Sequence, residues 1–182
     1  YRYSPMLQAL EPTASSAVIS PDGQYRYLLT RDLPEGISWT PPRPPSYTVF
    51  LMLNPSTADA SVDDPTIRRC KSFARREGSN ALVVLNLYGL RSTNPAGLWK
   101  SDDPVGIHND AYIKEMGEPH KKMICAWGTN ARRDRVEAVV SILEATQTEL
   151  FCLGTTADGH PRHPLYVRGD TPLIPWSIKD LK

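Results

Sequence analysis

Four short apolar runs constrain this chain most: Tyr47–Leu53 (YTVFLML), Ala81–Leu87 (ALVVLNL), Lys122–Trp127 (KMICAW) and Glu149–Leu153 (ELFCL). Each has the length of a strand and is apolar along most of its length instead of alternating, the pattern of a strand covered on both faces. Segments of helical period separate them. Asp64-Pro65 predicts a helix start, with Asp64 as N-cap and proline at the first position; Ile67, Cys70, Phe73 and Ala74 form its apolar face and Gly78 its stop. A second helix is expected around Gly106–Met116. A third is expected over Asn130–Ala145, with Ala131, Val136, Val139, Val140 and Leu143 on one side. This alternation predicts an α/β protein, a three-layer sandwich whose four-stranded parallel sheet lies between helices.

Upstream, Ala17–Ser20 and Gln24–Thr30 flank the turn residues Pro21-Asp22-Gly23, which predicts an N-terminal β-hairpin. Residues 1–16 read as a polar arm and 31–45 as a proline-rich connection. The expected organisation is therefore residues 1–45 as arm, hairpin and connection packed on a core, and residues 46–182 as a single α/β domain. No stretch approaches 18 apolar residues, so no membrane span is expected. The first residues lack a basic start followed by an apolar block, so no secretory signal is expected. The three cysteines, Cys70, Cys125 and Cys152, are far apart. This argues against a disulfide framework or CxxC metal site and fits a reducing cytoplasm. The net charge of +1 carries no global basic signature, so any nucleic-acid partner must be held by a local patch.

In open α/β sheets ligands bind beyond the carboxyl ends of the strands. After the first run come Asn54-Pro55-Ser56-Thr57. The second ends in Asn86, followed by Tyr88 to Pro95 with Arg91 among them. The third leads into Gly128-Thr129-Asn130, and the fourth into Gly154-Thr155-Thr156 and then His160-Pro161-Arg162-His163-Pro164-Leu165. Any one of these is commonly only a turn. Together they bring amides, hydroxyls and imidazoles to one rim, which suits a planar polar ligand such as a nucleobase, because an amide offers donor and acceptor side by side.

These residues carry a resemblance. Leu53-Asn54-Pro55-Ser56 resembles the first motif of the uracil-DNA glycosylase superfamily in its asparagine-proline version. Val84-Leu85-Asn86 resembles the strand whose asparagine reads the base edge, and Ala126 to Ala131 the third-strand turn. His160 to Leu165 resembles the late His-Pro-Ser-Pro-Leu loop, with one extra residue, so either His160 or His163 matches the motif histidine. More closely, LNPSTADASVDDPTIRRC, NLYGLRSTNP and GHPRHPLYV resemble an uncharacterised bacterial and phage family, domain-of-unknown-function family 1643.

The superfamily resemblance implies a uracil-DNA glycosylase-like sheet and a DNA glycosylase-like protein. Such a protein takes one base, here an unusual or modified one, out of the stack and hydrolyses its N-glycosidic bond. Asn54 would hold the water and His160 or His163 would donate to the departing base. Asn86 would read the base edge, within a pocket rimmed by Pro55, Ser56, Thr57, Tyr88, Arg91 and Thr129. Leu165 and Tyr166 would fill the vacated stack, and Arg162 and Arg168 would meet phosphates. The aspartate that the strongest uracil enzymes use to activate water has no counterpart. Asp59 and Asp63 are candidates for that duty, with solvated loop charges as the equal alternative. The basic residues of the helices, Arg68, Arg69, Lys71, Arg75 and Arg76 on one and Arg132, Arg133 and Arg135 on the other, read as solvated faces. The expected partner is DNA, single- or double-stranded, or a nucleotide; no metal, cofactor, membrane or obligatory protein partner is inferred. The alternatives are a non-catalytic nucleotide-binding module on the same fold and, least favoured, a metal-dependent phosphoesterase using Asp59, Asp63, Asp158 and the histidines.

Overall fold

The computed structural model describes residues 15–34 and 46–182. Residues 1–14 of the expected arm (1–16) and 35–45 of the expected proline-rich connection (31–45) lie outside the described residues, while Ser16 and residues 31–32 belong to strands. The sheet has seven strands: β1 (Ser16–Ile19), β2 (Arg26–Asp32), β3 (Tyr47–Met52), β4 (Ala81–Asn86), β5 (Lys122–Cys125), β6 (Glu149–Cys152) and β7 (Ile174–Pro175), in the order β1-β2-β4-β3-β5-β6-β7. The four apolar runs are the parallel neighbours β4-β3-β5-β6. The sheet is nevertheless mixed and wider than the expected four strands. The hairpin β1–β2 continues it, antiparallel, beyond β4, and β7 pairs antiparallel with β6. Exposed backbone edges invite further pairing, and here chain segments on both sides take them up.

Strand alternation sorts the core. Val49 and Leu51 of β3 and Val83 and Leu85 of β4 face helices α2 (Asn109–His120) and α3 (Arg133–Ala145), meeting Ile113, Met116, Val136, Val139 and Leu143. Phe50, Met52, Leu82 and Val84 face α1 (Pro65–Arg76), meeting Ile67, Cys70, Phe73 and Ala74. By the same two-residue period, Asn54 and Asn86 fall on the α1 face. Helix α1 begins as the sequence predicts, since Asp64 Oδ1 accepts the Ile67 N–H at 2.9 Å. Gly78, at φ +77°, follows its last turn.

Helix α2 runs later than expected, to His120. Gly117 does not stop it; it lets the helix approach the 146–148 turn, where a Cβ would lie 2.8 Å from Thr146 Oγ1 and 2.9 Å from Thr148 Oγ1. All three cysteines are buried and free. Among the described residues no helix is long and apolar enough to cross a membrane.

One irregularity matters for the site. Val18 pairs with Leu28 but Ile19 pairs with Arg26, so β2 carries a bulge. Tyr27 stacks on Tyr112 of α2, and Leu28 joins the same layer. Two consecutive side chains thus point to one face, and Arg26 is turned to the other, toward α1.

Candidate active site at the carboxyl rim

A cleft of about 520 Å³ opens at the carboxyl ends of the parallel strands, on the α1 side. Asn54, Ser56, Asn86, Thr129, Arg162, His163, Leu165 and Tyr166 all line it, as does Trp127. Rim loops from four separate strands therefore meet, as the sequence reading expects.

Asn54 is oriented by its own amide. Nδ2 donates to the carbonyl of Ser92 at 2.8 Å and to that of Pro55 at 3.0 Å. The amide nitrogen is thereby committed to the loops, and Oδ1 is left as the acceptor atom for the cleft. Asn86 is 1% exposed, and neither atom of its amide has a partner among the described residues. A buried polar group without a partner costs roughly 1–3 kcal/mol, so such a group is expected to meet a ligand or solvent.

His163 Nδ1 accepts the Leu165 N–H at 3.2 Å. The neutral ring therefore carries its proton on Nε2, as a donor. Burial pushes its pKa down, opposed by the facing Asp64 carboxylate. Past it, Leu165 and Tyr166 are 44% and 80% exposed at the mouth of the cleft.

Other expected site residues lie elsewhere. His160 does not line the cleft; its backbone N–H and carbonyl close a turn with Thr156. The extra residue of the late loop thus places His163, not His160, in the site. Asp59 and Asp63 are likewise outside it. Asp59 folds back to accept the N–H groups of Ser61 and Val62, which hold its carboxyl below the ordinary range. Asp63 bridges Arg31 of β2 at 2.7 Å and Lys71 of α1 at 2.9 Å. Arg31 also takes the carbonyls of Asp59, Ala60 and Val62, so the acidic loop is folded around a buried guanidinium.

Pro55 is buried beneath the loop, its carbonyl taken by Ser92 N–H. Thr57 is exposed, and its carbonyl accepts from Arg91. Arg91 itself is a brace, donating to Ser56, Thr57 and Gly23 carbonyls. Tyr88 is buried and its hydroxyl accepts from Arg132 N–H. Arg168 is exposed and pairs with Asp170.

Several helix arginines are not a solvated face either. Arg69 donates to Pro164 and Val167 carbonyls, and Arg76 to those of Gly169 and Thr171, both stacking on Phe73. They hold the late loop onto α1. Arg135 is buried and donates to the Leu87 carbonyl at 2.7 Å.

Two lining residues escape the sequence reading. Asp64, read only as a helix cap, also faces the cleft; Oδ1 serves the cap, and Oδ2 has no partner among the described residues. Arg26, 2% exposed, is carried into the cleft by the bulge. Among the described residues no three histidine, cysteine, aspartate or glutamate side chains gather as a metal site.

The Asp63 bridge gives a pH prediction. Burial would raise its carboxyl, but hydrogen bonds from Arg31 and Lys71 hold it below the ordinary value of 3.8. The stabilisation is present above 3.8 and lost as pH falls through the depressed value. Asp63→Asn is expected to lower stability by about 2 kcal/mol near neutrality. Urea melts at about pH 7 and about pH 3 check this, with the gap between the proteins shrinking in acid.

The chain is thus a mixed α/β protein with a cleft at the carboxyl ends of its parallel strands. Residues 26–165 match the family described as Protein of unknown function (DUF1643), and the chain belongs to that family. Comparison with curated proteins and with solved structures gives no match.

Proposed function

We propose that the cleft receives a single nucleobase taken out of its stack, and that the protein is a uracil-DNA glycosylase-like hydrolase of the N-glycosidic bond. The observation that carries this reading is the meeting of Asn54, Asn86 and His163, from three different strand ends, in one cleft. Its volume of about 520 Å³ is that of a small-molecule site. Asn54 Oδ1 accepts from the attacking water. Asp64 Oδ2 takes the carboxylate duty expected of Asp59 or Asp63, drawing the proton from that water. The bond to the sugar breaks toward an oxocarbenium-like centre, its electron pair leaves with the base, and His163 Nε2–H donates to the base oxygen where charge develops. Leu165 and Tyr166 occupy the gap in the stack.

The test is incubation with natural and modified DNAs, single- and double-stranded, with released bases read by mass spectrometry. Release of a free base supports the reading. Binding of DNA or nucleotide without release from any substrate replaces it with a non-catalytic binding module. Arg162 lies exposed at the cleft edge, and Arg162→Ala is expected to weaken DNA binding and reduce the salt slope by roughly one unit, because a phosphate contact acts through counterion release. Titrations at two salt concentrations check this.

A further inference from the structure

We propose that the floor of this cleft reads a 6-oxopurine, guanine or hypoxanthine, through its adjacent acceptors O6 and N7, and that Arg26 is the residue that reads them; the inference rests on the base-binding reading above.

Arg26 is almost wholly buried, yet among the described residues its guanidinium makes one hydrogen bond, from Nη1 to the Ala58 carbonyl at 3.0 Å. Nε is buried without a partner among the described residues. With Nη1 committed, the Nε–H and the Nη2–H beside it remain as two parallel donors on one edge. Burial lowers its pKa to about 10, against the pull of Asp64, so the group stays charged at neutral pH. A buried cation with most of its donors free is costly unless a ligand meets it.

A fork of parallel donors requires two adjacent acceptors. On a 6-oxopurine, O6 and N7 supply them, the commonest specific contact of arginine with a base. Adenine sets an amino group beside N7 and opposes the fork with a donor. Uracil and thymine set only O4 on that edge. The rest of the floor fits the same ligand. Asn86 offers an unpartnered donor and acceptor, and the N1–H of a 6-oxopurine can donate to its Oδ1. A phosphate or carboxylate would match the fork but would also lie beside the Asp64 carboxylate. A neutral base meets the fork without that repulsion. Cytosine, which sets O2 beside N3, is the remaining competitor, and the experiment includes it.

The experiment measures binding of single-stranded oligothymidylates that carry one central guanine, hypoxanthine, 7-deazaguanine, adenine, cytosine or uracil, against the all-thymine strand. Guanine and hypoxanthine are expected to bind on the order of tenfold more tightly than adenine or uracil. Replacing N7 by carbon is expected to remove most of that gain. In Arg26→Met the guanine and 7-deazaguanine strands are expected to bind alike. If that variant fails to fold, the 7-deaza comparison on the wild-type protein carries the test alone. Equal binding of guanine and 7-deazaguanine strands, or a preference for cytosine, overturns the assignment while leaving the base-binding cleft intact. Failure of every strand to bind overturns the base-binding reading, and this inference with it.

Discussion

Alanine at Asn54 is expected to lower base release on the order of 100-fold or more, as removal of a preorganised polar group at a reacting centre does, while DNA binding changes little. The reason is the commitment of its amide. The carbonyls of Pro55, Leu90 and Ser92 hold Nδ2, so in the proposed reaction Oδ1 is held ready for the water before substrate arrives and acts mainly in the transition state. Because Nδ2 also braces the 90–92 loop, the same measurement belongs on His163→Ala, whose ring, among the described residues, accepts only from Leu165 N–H. That variant is expected to lose a similar factor, and His160→Ala to lose little. Asp64→Asn keeps a capping side chain while removing the charge, so it is expected to slow release without a large change in melting temperature. Single-turnover release from a responsive DNA is the measurement. Undiminished release by Asn54→Ala overturns the assignment, and a larger loss at His160 than at His163 overturns the choice of histidine.

The largest stability effect is expected at Gly159. Its φ of +82° disfavours other residues, and a Cβ there would collide with the backbone carbonyl of Asp180. The C-terminal segment is locked to this loop. Trp176 Nε1 donates to the Gly159 carbonyl at 3.0 Å, and Lys182 N to that of Asp158 at 3.1 Å. Since the obstacle is backbone on both sides, no rotamer change relieves it. Gly159→Ala is expected to cost about 3 kcal/mol or more, a drop in melting temperature of roughly 6–12 °C. Gly23→Ala is the control: φ there is +73° but nothing lies within 4 Å of the added atom, so only about 1–2 kcal/mol of backbone strain is expected. Equal losses at the two positions would show that contact with the C-terminal segment adds nothing.

The parts legible in the sequence are those set by short-range pattern. Apolar runs marked β3 to β6, Asp64-Pro65 marked the start of α1, and Pro21-Asp22-Gly23 marked the hairpin turn. The rim rule then led to Asn54, Asn86 and His163. What escaped depends on long-range geometry. Strand β7 is two residues, Ile174 and Pro175, too short to carry a period. The direction of Arg26 depends on a bulge that no local signal announces, although a charge at the head of an apolar strand was a hint. Asp59, Asp63 and Asp64 look alike in sequence. The N–H groups of Ser61 and Val62 turn Asp59 back into its own loop, Arg31, a strand away, takes Asp63, and Asp64 is left facing the cleft. Asp64 also shows that a cap and a cleft residue can be one side chain, because a carboxylate has two oxygens.

Arginines 69 and 76 fasten the segment 164–171 to α1. Helix α1 begins at Asp64, and the fastened segment begins beside His163. The carboxylate and the imidazole therefore sit on two segments that are fastened directly to each other. The opposite bank, Ser92, Thr93 and Pro95 on the loop after β4, is held separately, by Ser92 N–H on the Pro55 carbonyl and Asn54 Nδ2 on the Ser92 carbonyl. Each bank is thus fastened by its own set of hydrogen bonds, and the two groups of the proposed reaction, Asp64 and His163, share one bank.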